Sequence, residues 1–152
     1  MVTTVAEGSS PSVCWPGAGE RCFLDTSALY SVFDRGQAES ADAAAVWERL
    51  VRSEAALLTS NYVVLELTTL LQRRLGFDAV AAFQDFVLPW VEIVWVDADL
   101  HDGALAVVLA AQRRSVSLVD AVSFGLMRSR RVRHAFTLDG HFAEQGFICL
   151  PG

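Results

Sequence analysis

The sequence contains no lysine, so all of its 12 basic residues are arginines. This absence excludes every mechanism that needs a lysine, among them the phospho-acceptor receiver domains and the haloacid-dehalogenase-type phosphatases. A second gap concerns nucleotide binding, because no GK[ST] loop of the P-loop type is present. Codon bias in a GC-rich genome is an equally good reason for an all-arginine composition, and the sequence leaves that explanation open.

Cysteine and long apolar runs are also scarce. The three cysteines, Cys14, Cys22 and Cys149, are odd in number and lack paired spacing, which argues against a disulfide framework and a zinc site. Reduced thiols in a cytoplasmic protein are the expectation. No apolar run approaches the roughly 20 residues of a membrane helix, and the first twenty residues lack a secretory pattern. We therefore expect a cytoplasmic protein without membrane contact.

The composition predicts one folded domain. The chain has 152 residues, is 53% hydrophobic and carries a net charge of −6. A chain of this length buries about two-thirds of its unfolded surface, enough for a full core, and its negative charge argues against broad attraction to nucleic acid or membranes. Residues 1–20, rich in Gly, Ser and Pro, are predicted to form a flexible extension, and residues 21–152 the domain.

Strand and helix patterns alternate from residue 22 onward. Short apolar segments within "RCFL", "ALLTS", "VEIVWV", "HAFTLD" and "GFICL" predict five strands. The segments between them have helical spacing, with Ser60 or Asn61, Asp97 or Asp99, and Ser117 as candidate caps. This alternation predicts an α/β fold with a short, mostly parallel sheet, whose functional site lies beyond the carboxyl ends of the strands.

Four carboxylates lie on apolar backgrounds. Asp25 and Asp139 end predicted strands, Glu66 interrupts the helix "YVVLELTTLL", and Asp120 lies one turn into "SLVDAVSF". Each has a simpler explanation: Asp25 as a helix cap, Asp120 as a partner of the helix dipole, Asp139 as a turn residue and Glu66 as the polar edge of its helix. Taken together, the four could converge at one edge of the sheet.

Convergence would need a counter-charge. Two carboxylates about 4 Å apart repel by roughly 4 kcal/mol at an effective dielectric of 20. With no lysine available, a divalent cation is the natural partner, and oxygen ligands favour Mg²⁺ or Mn²⁺ over zinc. Asp25 is therefore predicted to be a metal ligand.

The segments "FLDTSALY", "TSNYVVLELTTLL", "SLVDAVSFGLM" and "FTLDGHFAEQGF" occur in an order that resembles the PIN-domain ribonucleases, in particular the VapC-type toxins of toxin–antitoxin pairs. The resemblance spans residues 22–150. It implies a three-layer α/β/α sandwich, metal-dependent cleavage of RNA phosphodiester bonds, and a cluster of acids that binds one or two Mg²⁺ or Mn²⁺ ions. It also implies an RNA substrate, a small cognate antitoxin and a homodimer.

Carried over by motif, Asp25, Glu66, Asp120 and Asp139 are the predicted catalytic and metal-binding residues. Asp25 and Asp120 are assigned to direct ligation. Glu66 either ligates or accepts a proton from the attacking water, and Asp139 binds through a water or a second ion. The antitoxin is expected to cover apolar surface near "ADAAAVWERL" and to insert a basic side chain among the acids.

Ser27 and Thr137 match positions where hydroxyl groups support the acids in this family. Three departures from the family pattern stand beside the match. Some twenty residues precede Asp25, Gly140 replaces a residue that is often charged, and the chain is acidic overall. None of these departures removes an acid. A catalytically silent PIN-like module that binds protein or RNA is kept as the alternative function, although the presence of all four acids weighs against it.

Arginines cluster in "RSRRVRH" and at the end of the helix that carries Glu66. Cations are favourable at helix C-termini, so a solvated helix end is one explanation, and contact with RNA phosphates near the site is the other. The predicted RNA-binding residues are Arg73, Arg74, Arg128 and Arg130.

The remaining aromatic and imidazole residues receive structural assignments. Trp47, Trp90 and Trp95 lie within periodic apolar patterns and are predicted to belong to the core rather than to base-stacking surfaces. His101 and His141 are predicted to be polar surface residues and not metal ligands.

Overall fold

The computed structural model of the protein describes residues 13–152. Most of the predicted flexible extension, residues 1–12, lies outside the described residues. Residues 13–20 pack on the domain: Val13 and Trp15 contact the buried core, and the guanidinium of Arg49 lies 3.7 Å from the centre of the Trp15 ring. The folded part of the chain thus includes residues that were assigned to the extension.

Five strands and seven α-helices alternate along the described residues. The strands are β1 (Arg21–Leu24), β2 (Ala56–Ser60), β3 (Glu92–Val94), β4 (His134–Phe136) and β5 (Ile148–Leu150). The helices are α1 (Thr26–Phe33), α2 (Ser40–Arg52), α3 (Asn61–Arg74), α4 (Phe77–Ala82), α5 (Ala98–Ala111), α6 (Leu118–Ser129) and α7 (Gly140–Glu144). A π-helical turn (Phe83–Val87) and a 3₁₀ turn (Leu88–Trp90) extend α4. Within residues 13–152, no helix combines the length and apolar character needed to cross a membrane.

The strands form one parallel sheet in the order β3-β2-β1-β4-β5. β1 lies at the centre, where Phe23 pairs with Leu58 of β2 and Ala135 of β4. Because all strands are parallel, their carboxyl ends meet at the same edge of the sheet. The predicted α/β fold with a short parallel sheet is confirmed.

Helices cover both faces of this sheet. Along β1, Cys22 and Leu24 belong to the buried cluster that packs against α1, α2 and α3, whereas Phe23 belongs to the cluster on the opposite face, under α6 and α7. The period of two along a strand produces this division. The result is the three-layer α/β/α sandwich that the sequence predicted.

One short helix and two tryptophans differ from the prediction. Helix α1 was foreseen only through Asp25 as a candidate cap, which the structure confirms. Helix α7, which follows β4, was not recognised, because Asp139 was interpreted as a turn residue. The assignment of Trp90 and Trp95 to the core is wrong, because their exposed fractions are 59% and 76%. β3 ends at Val94 on the edge of the sheet, so the apolar pattern runs past the strand. Trp47 packs against the core as predicted.

Where the sequence offered two candidate caps, the structure selects the first of each pair: Ser60 caps α3 and Asp97 caps α5. Ser60 Oγ accepts from Val63 N–H at 3.1 Å, and Asp97 Oδ1 accepts from Leu100 N–H at 2.9 Å. Ser117 caps α6 as predicted. At the start of each of these helices, one backbone N–H group that lacks a partner within the helix thereby gains a hydrogen-bond acceptor.

Phe142 anchors the short helix α7 to the sheet. Its buried ring lies 4.9 Å from Phe124 and 6.3 Å from Phe23, centre to centre. We expect Phe142→Ala to lower the free energy of unfolding by about 3–5 kcal/mol, because it removes the ring and leaves a cavity. Urea denaturation followed by circular dichroism measures this loss.

The matched control is Phe77→Ala, whose ring is 74% exposed. Its effect should stay within about 0.5 kcal/mol. Equal losses in the two variants would contradict the packing described for α7.

Candidate active site

The four predicted acids line a single cleft at the carboxyl edge of the sheet. The cleft has a volume of about 500 Å³. Asp25 follows β1, Asp139 lies just beyond β4, Glu66 is on α3 and Asp120 is in the first turn of α6. The other residues of its wall are Thr26, Ser27, Thr69, Leu70 and Arg73.

Asp25 is the most buried of the four acids and is held by one of its two oxygens. It is 4% exposed. Oδ2 accepts from Ser27 N–H at 3.2 Å, from Ser27 Oγ at 2.5 Å and from Thr137 Oγ1 at 2.9 Å. Oδ1 accepts no hydrogen bond from residues 13–152. It is also not among the fully buried atoms without a partner, so it retains some accessible surface. Oδ1 is therefore the oxygen left for a ligand in the cleft.

The two hydroxyls that hold Asp25 have fixed directions. Ser27 Oγ accepts from Leu138 N–H at 2.9 Å, and Thr137 Oγ1 accepts from Asp139 N–H at 3.0 Å. With a backbone donor on each hydroxyl oxygen, each O–H is free to donate to Asp25. This network joins the end of β1 to the end of β4 and suits an ionised carboxylate.

Burial and hydrogen bonding act on Asp25 in opposite directions. Loss of hydration is the largest effect and raises the pKa of Asp25, and the hydrogen bonds from Ser27 and Thr137 lower it. The nearby charge of Asp120 raises it again. The net pKa lies above the ordinary value for aspartate, so the ionised form carries an unfavourable energy that a cation in the cleft would relieve.

The other three acids are bound to local partners. Glu66 is exposed and Oε2 accepts from Thr26 Oγ1 at 2.6 Å. Oδ2 of Asp120 accepts from the backbone N–H and hydroxyl of Ser117, which forms a capping box on α6. These side chains share a cleft, but among residues 13–152 no group of three His, Cys, Asp or Glu side chains adopts a metal-binding arrangement.

Asp139 is paired with His141 and caps α7. Its Oδ1 accepts from His141 N–H at 2.9 Å and lies 2.7 Å from Nδ1 of the same residue. Nε2 of His141 lies 3.2 Å from Ser115 Oγ, so this half-buried ring bridges Asp139 to the loop before α6. His101 lies on α5, where its Nδ1 is 2.6 Å from the Tyr62 hydroxyl.

The predicted RNA-binding arginines separate into three locations. Arg73 lines the cleft, two turns beyond Glu66 on the same side of α3. Arg74 does not line the cleft and lies near Tyr30 and Asp34. Loss of hydration is the largest effect there and raises the pKa of Tyr30, whereas the hydrogen bond from Tyr30 is the largest effect on Asp34 and lowers its pKa. The charge of Arg74 makes only a minor contribution to both.

The structure does not bring Arg128 and Arg130 to the acidic cleft. α6 begins at the carboxyl edge of the sheet near Asp120 and runs for 12 residues, about 18 Å, to the opposite edge. There Arg130 Nη1 lies 3.7 Å from Glu92 of β3, and Arg128 bonds to Gln145. Contact between these two residues and RNA near the site would require a substrate that reaches the other edge.

Comparison with known proteins identifies the family to which this fold and cleft belong. The PIN domain family model matches residues 22–148. The chain belongs to the PIN domain family. The match covers most of β1, all of β4 and every acid of the cleft, and it confirms the family that the sequence motifs resembled.

Two relatives of this PIN domain are VapC proteins of Mycobacterium tuberculosis. One, the 23S rRNA-specific endonuclease VapC20, is 35% identical over 127 residues, which cover 83% of this chain and 95% of the relative. The other, ribonuclease VapC26, is 35% identical over 122 residues, or 79% of this chain and 88% of the relative.

Solved structures show the same fold. The crystal structure of VapC20, described as a sarcin-ricin loop cleaving toxin, superposes with a TM-score of 0.72 over 84% of this chain and 96% of that one. A chain in the crystal structure of VapBC2 from Rickettsia felis, bound to a DNA fragment from its promoter, has a TM-score of 0.63 at 13% identity, over 85% of this chain and 96% of that one, and so shares the fold.

The residues of this PIN domain fit a hard divalent cation by their chemistry. All four acids offer oxygen ligands, the donor type of Mg²⁺ and Mn²⁺, and the Oδ1 atom of buried Asp25 accepts no hydrogen bond from the described residues. Ligation by Glu66, Asp120 or Asp139 would exchange their contacts with Thr26, Ser117 and His141 for contacts with the cation.

Several wall residues were missed by the sequence analysis. Thr26 donates to Glu66, and Thr69 and Leu70 line the cleft between Glu66 and Arg73. The signal for Thr69 and Leu70 was their helical spacing of three and four residues from Glu66. The contact of His141 with Asp139 was visible only as a spacing of two residues, which does not specify a contact.

Substitution of Asp25 tests its burial energy directly. We expect Asp25→Asn to raise the thermal midpoint at pH 7 in EDTA, by about 2–4 °C for each kcal/mol gained. The amide oxygen can accept from Ser27 and Thr137, and the buried charge is removed. Differential scanning fluorimetry measures the midpoint.

The pH dependence has a definite sign. The pKa of Asp25 is higher in the folded state than in the unfolded state, so within this pH window the folded state binds more protons. The free energy of unfolding therefore falls as pH rises from about 3.8 to the folded pKa. Asp25→Asn should remove this part of the decline. Asp34→Asn is the control of opposite sign, since hydrogen bonds from Tyr30, Gly36 and Gln37 lower the pKa of Asp34. A thermal midpoint lowered by Asp25→Asn would contradict the unfavourable energy described for the buried charge of Asp25.

Proposed function

We propose that this PIN domain is a metal-dependent ribonuclease that cleaves RNA phosphodiester bonds and acts as the toxin of a type II toxin–antitoxin pair. The observation that carries the proposal is the cleft in which Asp25, Glu66, Asp120 and Asp139 meet at the carboxyl edge of the sheet. The ribonuclease function predicted from the sequence is supported by VapC20 and VapC26, which match most of the chain and are named as RNA-cleaving enzymes.

Mg²⁺ or Mn²⁺ is the proposed cofactor, held by Asp25 and Asp120 with Glu66 and Asp139 as further ligands. Such a cation supplies a water of lowered pKa and charge neutralisation at the scissile phosphate. The all-oxygen donor set and the raised pKa of Asp25 support this choice.

The side chains of the cleft have separate tasks in this proposal. Ser27 and Thr137 hold Asp25 in one orientation by donating to its Oδ2, so that Oδ1 stays available to a ligand in the cleft. Glu66, which is exposed and bonded to the Thr26 hydroxyl, either ligates the cation or accepts a proton from the attacking water. Arg73 supplies positive charge to a phosphate in a cleft whose other ionisable groups are acids.

A small antitoxin and a second copy of the chain are the proposed protein partners. Exposed aromatic side chains within residues 77–95 support a protein-binding surface, because exposed apolar patches mark sites of protein interaction. They are Phe77, Phe86, Trp90 and Trp95. An antitoxin would also cover apolar surface near α2 and place a basic group among the acids. We place this action in the cytoplasm, without membrane contact.

The alternative function is a catalytically silent PIN domain that binds protein or RNA. One observation favours it: within residues 13–152 the acids are bonded to local partners, and no three of them are arranged as metal ligands. Metal binding separates the two functions, since a silent scaffold should bind Mn²⁺ weakly.

Cleavage of total cellular RNA tests the proposed function. We expect cutting with Mg²⁺ or Mn²⁺ and none with EDTA, and we expect Asp120→Asn to lower the rate by at least about 100-fold, because it removes a charged ligand of the cation. Gel electrophoresis of the RNA measures the rate. Mn²⁺ should also raise the thermal midpoint of the wild type and not that of Asp25→Asn.

Asp97→Asn is the matched control, since Asp97 is also an aspartate near a helix N-terminus but lies outside the cleft. It should cut at the wild-type rate. No cutting by the wild type with either metal, together with no Mn²⁺ effect on the midpoint, would support the silent module instead.

The two arginines at the end of α3 offer an internal comparison. We expect Arg73→Ala to lower kcat/KM for RNA by about 10- to 100-fold, since a charge-assisted hydrogen bond contributes about 1.5–3 kcal/mol. Arg74→Ala, which lies beside Tyr30 and Asp34, should change kcat/KM by less than about 3-fold. Steady-state cleavage of a fluorogenic RNA measures both, and equal losses would contradict the phosphate contact at Arg73.

A further inference from the structure

A second charged surface lies at the amino edge of the sheet, opposite the acidic cleft. Two pockets meet there, and both are lined by Arg131 and Arg133. The first, of about 380 Å³, also includes Arg21 and Arg130, and the second, of about 530 Å³, includes Arg128. These arginines are called the arginine edge below: Arg21, Arg128, Arg130, Arg131 and Arg133.

Three members of the arginine edge already have protein partners. Arg21 Nη1 donates to the carbonyl of Arg130 at 2.9 Å, Arg130 lies 3.7 Å from Glu92, and Arg128 bonds to Gln145. Arg131 and Arg133 are exposed and form no ion pair with any acid of residues 13–152. Two unneutralised guanidinium groups on adjacent pockets favour an anionic ligand.

The backbone at Arg131 adds an independent observation. Val132 N–H donates to the Met127 carbonyl at 2.8 Å and Arg131 N–H to the Arg128 carbonyl at 3.2 Å, so α6 ends in a Schellman motif. Arg131 occupies the left-handed position of this motif with φ 56°. Glycine is the residue that this position favours. Arg131 therefore holds a backbone conformation that costs it stability relative to glycine.

A buried polar group lies at the same place. His134 lines the first pocket and is 1% exposed. Its Nε2 is the one buried side-chain nitrogen or oxygen without a hydrogen-bond partner in the part of the chain that the structure describes. Such groups are few in folded proteins and mark places where stability is not the sole constraint.

We propose that the arginine edge is a second RNA-binding site, which holds backbone phosphates of a structured substrate while the scissile bond lies in the acidic cleft. This inference rests on the proposed function. Guanidinium groups suit phosphate oxygens, and Arg128, 5.6 Å from the centre of the Phe147 ring, places an aromatic face beside them. A chain of net charge −6 with an acidic cleft needs a separate cationic surface to retain RNA.

The length of α6 sets the size of the RNA that can use both sites. The helix separates the two edges by about 18 Å. Each nucleotide of one stacked strand advances about 3.4 Å along the helix axis, so the two sites are roughly five nucleotides apart along that axis. Long or folded RNA can therefore contact both, whereas a very short oligonucleotide can contact the cleft alone.

Binding is tested in EDTA, where cleavage is suppressed, with a fluorescein-labelled RNA hairpin and fluorescence anisotropy between about 50 and 200 mM salt. The double variant Arg131→Ala/Arg133→Ala should lose about 10-fold in affinity or more, and its log–log salt slope should fall by about 1.5–2. The control, Arg35→Ala/Arg52→Ala, removes the same charge from exposed residues elsewhere and should keep the wild-type slope. Equal slopes for the two double variants would overturn the proposal.

Arg131→Gly separates binding from stability. Because glycine suits the left-handed position, we expect the thermal midpoint to stay unchanged or to rise by up to about 4 °C while RNA affinity falls. A variant that is as stable as the wild type and binds RNA equally well would show that Arg131 has no part in binding.

Cleavage kinetics distinguish failure of this inference from failure of the proposed function. In Mn²⁺, Arg131→Ala/Arg133→Ala should raise KM for the hairpin and leave kcat/KM for a fluorogenic tetranucleotide unchanged. If the wild type cuts RNA and the double variant has the same KM for the hairpin, the RNA site at the arginine edge is wrong and the ribonuclease function stands. Arginine-dependent binding without any wild-type cutting would overturn the ribonuclease and retain the RNA site. A DNA hairpin of the same sequence that binds more tightly than the RNA would overturn the assignment of the ligand.

Discussion

The placement of the site depends on the hydrogen bonds that Asp25 accepts on one oxygen. Ser27 and Thr137 reach Oδ2 from α1 and from the segment after β4, and each hydroxyl is itself oriented by a backbone N–H. The interaction thus joins two neighbouring strands at their carboxyl ends and fixes the direction of the free oxygen. Burial makes the charge of Asp25 costly, and the network reduces this cost without removing it. A partly compensated carboxylate is suited to binding a cation.

Charge is distributed along the axis of the sheet. Acids gather where the strands end, and arginines gather where they begin. α6 connects the two regions, with Asp120 in its first turn and Arg128 in its last. This order also follows the helix dipole, which favours anions at the N-terminus and cations at the C-terminus. The same helix therefore stabilises both charged regions and holds them at a constant separation.

The sequence predicted the fold and the identity of the cleft acids better than their contacts. Strand-ending Asp25 and Asp139 were informative because parallel strands bring their ends together. Arg128 and Arg130 were assigned near the acids because nearness along the chain does not reveal that a helix carries them to the other edge. Trp95 was assigned to the core because an apolar pattern does not show where an edge strand ends. The pairing of Asp139 with His141 depends on side-chain rotamers, which no spacing specifies.

The bond between Thr137 and Asp25 joins residues 112 positions apart in the chain. Contacts of such long separation form slowly and need most of the chain to be present. During synthesis, β1 can pair with β2 early, but Asp25 acquires its orientation only when the segment after β4 has emerged and docked. An order of assembly in which β1, β2 and β3 pair before the active cleft forms would leave the growing chain folded in part and without activity, so the delay itself would protect the cell that makes the protein.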